Sequence, residues 1–213
     1  MDQAEFERSA RDLVGRDPDL AALVRVHGIP AVWARPPGFA ALVLLVLEQQ
    51  VSLASGAAAF RRVRERIGAM TPEGVLGTTS AQLREDGVSR QKDRYLRALA
   101  DAVVTGALDL GALSDCDDET AHRRLTALPG IGRWTADSYL LASLGRPDVW
   151  PVGDRALQVA VGEALHLDAV PGPSDLELIG ERWKPLRASA ARLLWHAYLQ
   201  RRGRVETATD AWG

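Results

Sequence analysis

Leu128-Pro129-Gly130-Ile131-Gly132-Arg133-Trp134-Thr135-Ala136 reads as a tight turn between two helices. Pro129 fixes φ at the entry, and the glycines allow backbone conformations that a Cβ would forbid. Without side chains, the turn also lets a ligand approach its main chain. The helix that opens after Gly132 has N–H groups with no partner in the preceding turn. Together with the helix dipole they make a seat for an anion such as phosphate. Asp154 lies twenty-two residues beyond Gly132. On the residues alone it reads either as a helix cap or as a carboxylate serving the chemistry that the turn anchors.

Working outward, helix follows helix. Periodicity and propensity predict helices over 4–14, 18–27, 39–50 and 53–67, the last capped by Ser52 and stopped at Gly68. Ser80 is expected to cap a short helix ending near Gly87. Ser89 is expected to start another, with Tyr95, Leu96, Leu99 and Val103 on one face. Asp118 is expected to cap the helix leading into the hairpin, and a helix over 134–144 to follow it. Helices over 154–165, 174–183 and 185–201 complete the set. No strand pair is legible, so the fold is expected to be all-α. The apolar run Phe39–Leu47 reads as a buried helix segment, too short to span a bilayer.

Composition narrows the classes further. A chain of 213 residues with 46% hydrophobic content can bury a sizeable core. Its one cysteine, Cys116, excludes a disulfide framework and a four-cysteine metal cluster. His27, His122, His166 and His196 have no metal-ligand spacing, so neither a metal centre nor a cofactor is expected. No signal peptide opens the chain, which fits a cytoplasmic protein with no membrane contact. The net charge of −2 argues mildly against a polyanion partner. Three basic groups offset it: Arg61, Arg62, Arg64 and Arg66; Arg90, Lys92, Arg94 and Arg97; Arg182, Lys184, Arg187 and Arg192.

Residues 128–136 resemble the hairpin of the helix-hairpin-helix (HhH-GPD) DNA glycosylases, and Val152-Gly153-Asp154 resembles the segment carrying their catalytic aspartate. The likeness extends to Leu47-Glu48-Gln49-Gln50-Val51-Ser52, to Gly87-Val88-Ser89-Arg90-Gln91-Lys92 and to Trp183-Lys184-Pro185-Leu186-Arg187, in order along most of the chain. The 3-methyladenine DNA glycosylase II branch is the most similar. The resemblance implies two helical lobes, residues 37–146 with the hairpin and residues 1–36 plus 147–213 with the aspartate. Between them it implies a cleft that holds double-stranded DNA and a flipped, damaged base.

The resemblance also implies roles. Asp154 would stabilise a sugar cation while the N-glycosidic bond is hydrolysed. Trp134, Ser138, Tyr139 and Trp183 would line the base pocket, whereas Trp195 is read as core. Ser138 stands where related chains present a tyrosine. Gln49 and Gln50 would fill the gap left by the flipped base. Ser52, Arg90, Lys92, Gly130, Ile131, Gly132 and Thr135 would complete the DNA contacts, and the carbonyls of 128–132 are candidates for a monovalent cation. Glu48 replaces the small residue expected there, so either its carboxylate faces away from the DNA path or the approach of the DNA is altered. Where Trp134 stands, the resemblance implies a lysine in relatives that also cut the backbone. An indole cannot form a Schiff base, which implies a monofunctional enzyme; a monomer is expected. A glycosylase for another damaged or mismatched base, and a hairpin module that only binds DNA, are the alternatives.

Overall fold

The computed structural model describes residues 1–204. Among them the chain is helical throughout, with thirteen α-helices and one short 3-10 turn, and no strand. The order is α1 (Gln3–Arg16), α2 (Pro18–His27), α3 (Phe39–Glu48), α4 (Leu53–Ile67), α5 (Pro72–Gly77), α6 (Ser80–Glu85) and α7 (Arg90–Val104). There follow α8 (Ala112–Asp115), α9 (Asp118–Thr126), α10 (Arg133–Ala142), α11 (Arg155–Ala164), α12 (Pro173–Gly180), the 3-10 turn Glu181–Trp183 and α13 (Arg187–Arg201). The chain divides into two compact units. One takes Met1–Ala34 and the described chain from Gly145 onward; the other is the continuous segment Arg35–Leu144.

In the continuous unit α3 is the axis. All its residues but Ala40 are buried, because a helix apolar on every side is stable only when other helices surround it. The helices α4, α7 and α10 pack against it. Helix α4 approaches so closely that a Cβ on Gly56 would lie 2.7 Å from the Glu48 Cγ. In the discontinuous unit α13 is central, with α1, α2 and α11 against it. Phe6 and Ala10 of α1 meet Leu193 in its core.

Most helix ends follow local chemistry. Ser52 accepts the Ser55 N–H, Ser89 the Lys92 N–H, and Asp17 the N–H groups of Asp19 and Leu20. Two caps sit one residue before their expected place. Thr79, not Ser80, forms a capping box with Gln82, and Asp117, not Asp118, accepts the Thr120 N–H. The reason is geometric, since a cap side chain reaches the backbone three residues on. The last helix starts at Arg187 rather than 185, because Glu181–Trp183 forms a 3-10 turn and the chain leaves helical geometry at Lys184. Helices α5 and α8 were not legible: six and four residues are too short to show a period.

Candidate functional site

The hairpin joins α9 to α10. The Ile131 N–H donates to the Leu128 carbonyl at 3.1 Å, and Gly130 lies in the left-handed region at φ 84°. A Cβ at Gly130 would overlap the Tyr95 ring, so the turn rests directly on that aromatic face. The Tyr95 hydroxyl in turn accepts from Gln91 Nε2 at 2.6 Å. Gly132 caps α10 without a side-chain oxygen, and both Gly132 and Arg133 are exposed. A helix N-terminus opening at an exposed glycine presents the positive end of its dipole to an anion.

The segment after α3 meets the hairpin within the same unit. Gln49 Nε2 donates to the Gly130 carbonyl at 2.8 Å and to Thr135 Oγ1 at 3.0 Å. This corrects two expectations. Gln49 is half-buried and its amide is engaged with the protein rather than presented outward. Thr135 is 2% exposed with its hydroxyl accepting from Gln49, so that oxygen is not presented to a phosphate. Gln50 is exposed at φ 56°, and Val51 and Leu53 stand 47% and 56% exposed beside it. Ser52 is spent as the α4 cap.

Glu48 turns inward, the first of the two alternatives left open for it. Its two oxygens receive both terminal nitrogens of Arg35 at 2.7 and 3.0 Å. Burial pushes the Glu48 carboxyl above its ordinary value, with Arg35 opposing the shift. Lys92 is a further correction. Its Nζ donates to the Leu47 carbonyl at 2.6 Å, closing the last turn of α3, and burial lowers its pKa. Arg90, at the start of the same helix, is exposed. The basic groups are partly neutralised from within: Arg66 pairs with Asp86, Arg97 with Asp93, Arg187 with Asp148, and Arg192 is buried.

Of the expected pocket residues, Trp134 and Ser138 are half-buried on α10. Tyr139 is fully buried, with its hydroxyl accepting the Gly38 N–H at 3.0 Å. Trp183 is fully buried as well. Its indole N–H donates to Asp17 Oδ2 at 2.7 Å and its ring meets Trp150 edge-on at 5.2 Å. Both aromatics are core anchors with their polar ends satisfied, which corrects their expected place at a pocket wall.

Asp154 is the N-cap of α11 in the discontinuous unit. Its Oδ1 accepts the Leu157 N–H at 2.7 Å and the Trp195 indole N–H at 3.1 Å. Sequence reading had assigned Trp195 to the core. It is half-buried, and it fixes the carboxylate from α13. Behind it stands Trp33, at 6.0 Å between ring centroids, and the Arg192 guanidinium lies 4.6 Å over the Trp33 ring while donating to the Trp33 carbonyl at 2.7 Å. The turn into Asp154 is pinned by Gln158 Nε2 on the Val152 carbonyl. The other carboxylates nearby in sequence are engaged structurally. Asp148 forms a two-pronged pair with Arg187, and Asp137 is buried near His122 and Arg133. A carboxylate oriented by two N–H donors at a helix start is suited to hold negative charge against a developing cation.

The sequence pattern of the HhH-GPD superfamily base excision DNA repair proteins matches residues 43–185. The chain is similar to a probable bifunctional transcriptional activator/DNA repair enzyme AlkA of Mycobacterium tuberculosis, 31% identical over 194 residues that cover 86% of this chain and 38% of the relative. Among solved structures it is similar to a Schizosaccharomyces pombe 3-methyladenine DNA glycosylase in complex with abasic DNA. That likeness has a TM-score of 0.81 at 27% identity, covering 88% of this chain and 95% of the other. A DNA-3-methyladenine glycosidase of Bacillus halodurans gives 0.78 at 31% identity, covering 89% and 88%. The chain spans 44% and 38% of the length of two curated relatives that it matches.

Proposed function

This chain belongs to the HhH-GPD superfamily of base excision DNA repair proteins, and from that premise we propose that it is a monofunctional DNA glycosylase for alkylated purines. It acts on double-stranded DNA as a monomer in the cytoplasm. The observation that carries the reading is Asp154, an N-cap carboxylate oriented by the Leu157 amide and the Trp195 indole.

Hydrolysis breaks the bond between C1′ and the purine nitrogen. As it lengthens, positive charge develops on the sugar, and Asp154 stabilises it and orients water for attack at C1′. The water oxygen joins C1′, its proton is released, and the bonding pair leaves with the base. A purine methylated at N3 or N7 already carries positive charge, so the departing base needs no strong acid. Trp134 suits such a base, since a cation over an indole face gains roughly 0.5–2 kcal/mol. It has no amine, which supports base release without backbone cleavage. The amides of Gly130 and Gly132 position the adjoining phosphate without reading sequence, the Ile131 N–H being held by the Leu128 carbonyl, and Arg90 is an exposed cation at the start of α7.

The test uses duplexes carrying one N3- or N7-methylated purine, ethenoadenine, hypoxanthine or an oxidised base. Release from a methylated purine, with strand breakage only after alkali, is the expected result. Breakage without alkali refutes the monofunctional assignment. Tight binding to an abasic duplex with no base released from any substrate refutes catalysis and leaves a binding module.

A further inference from the structure

We propose that Gln49 is a positioning residue that couples the phosphate-binding hairpin to the exposed tip Gln50–Leu53, so that the two engage a duplex as one body. The inference rests on the glycosylase reading and adds to it a residue that touches neither base nor sugar.

The geometry is specific. A side-chain amide has two N–H donors. Gln49 Nε2 has two acceptors, the Gly130 carbonyl in the turn and Thr135 Oγ1 in the first turn of α10. One side chain therefore ties together the two parts of the hairpin between which the exposed Gly132 lies. Its own backbone is held just as firmly. Gln49 N–H returns to the Val46 carbonyl, Lys92 holds the Leu47 carbonyl, and Arg35 grips Glu48 one residue earlier. Beyond Gln49 lies the tip: Gln50 sits at φ 56° and is exposed, Val51 and Leu53 present apolar surface to solvent, and Ser52 between them caps α4. Exposed apolar side chains flanking a left-handed residue suit insertion into a stack of bases, provided that their offset from the phosphate contact is constant. Gln49 supplies that offset from the tip side, as Tyr95 supports Gly130 from below.

Gln49→Met keeps the length and removes both donors. In the free protein, hydrogen exchange at the hydrogen-bonded amides that border the two segments, Gln49, Ser55 and Gly56 at the tip and Ile131 and Ala136 at the hairpin, is expected to accelerate about tenfold, while that of the central turns of α7 and α13 is unchanged. In single-turnover base release the amplitude is expected to hold and the rate to fall about tenfold, with affinity for undamaged duplex changed less than about twofold. Thr135→Val combined with Gln49→Met is expected to cost no more than Gln49→Met alone, since both remove the same hydrogen bond. Unchanged exchange in both segments overturns the coupling, as does full additivity of the pair. A loss of undamaged-duplex affinity equal to the rate loss overturns it too, because Gln49 would then serve the phosphate grip alone. If Gln49→Met lowers the melting temperature of the whole chain, Gln49→Glu, polar and of equal length, repeats the measurement. A wild-type chain that releases no base refutes the glycosylase reading, and hydrogen exchange still decides the coupling.

Discussion

Replacing Asp154 by asparagine separates a helix cap from a catalytic carboxylate. Both hydrogen bonds described at this residue, from the Leu157 N–H and the Trp195 indole, arrive on the same oxygen, Oδ1. Asparagine retains one carbonyl oxygen and can receive both donors there. It ranks with aspartate as an N-cap, so at these two bonds the structural loss is the charge–dipole term of about 0.3–1 kcal/mol. For a chain of this size that corresponds to a melting shift of about 4 °C at most. Catalysis depends on the charge itself. A carboxylate about 4 Å from a sugar cation, at an effective dielectric constant near 20, gains about 4 kcal/mol, and its loss slows the step about a thousandfold. The assay is single-turnover release of a methylated purine with enzyme in excess, read as alkali-labile strands, beside a thermal melt. A variant that melts like wild type and releases base within about threefold of the wild-type rate would refute the assignment, leaving Asp154 a cap and nothing more.

Trp195→Phe removes the indole donor but keeps a ring against Trp33, and is expected to slow base release about tenfold with little change in melting temperature. Single-turnover rates check it, and an unchanged rate means that the Leu157 amide alone orients the carboxylate. Gly130→Ala must accept φ 84° and push the Tyr95 ring aside, for a loss of about 2–4 kcal/mol in chemical denaturation. Arg35→Met strands Glu48 as a buried unpaired carboxylate, at a cost of about 3–5 kcal/mol near neutral pH. Because burial raises the Glu48 pKa above 4.5, the folded chain keeps that proton to higher pH than the unfolded chain does. The contribution of Glu48 to stability therefore falls as pH rises from 4.5, and Arg35→Met steepens the fall. Denaturation of both proteins between about pH 5 and 7 tests the sign, and a variant no steeper than wild type contradicts it.

What could be read ahead of the structure was local. Pro129 and the two glycines carry their turn in their own covalent geometry, and Phe39–Leu47 is apolar on every side, which only a surrounded helix tolerates. Caps slipped by a residue where two candidates adjoin, as at Asp117 and Asp118 or Thr79 and Ser80. The partners that give the site its shape were not legible. Trp195 meets Asp154 across 41 residues, and Gln49 meets Gly130 across 81. One sequence holds no record of such distances. Six tryptophans look alike in it, yet Trp183 is sealed with its N–H on Asp17 while Trp195 reaches a half-exposed carboxylate. Glu48 was partly legible: a carboxylate in an otherwise apolar helix must find a partner, but nothing nearby marked Arg35 as that partner.

The discontinuous make-up of one unit bears on how a nascent chain matures. Asp17 receives the Trp183 indole across 166 residues, and α1 and α2 pack on α13, close to the last described residue. During synthesis, α1 and α2 emerge early and have only each other to pack on until α11 and α13 have left the ribosome. The segment Arg35–Leu144 meets no such delay, because its helices are consecutive. The hairpin-bearing half should thus assemble co-translationally, with α1 and α2 waiting as a half-covered apolar pair that docks last.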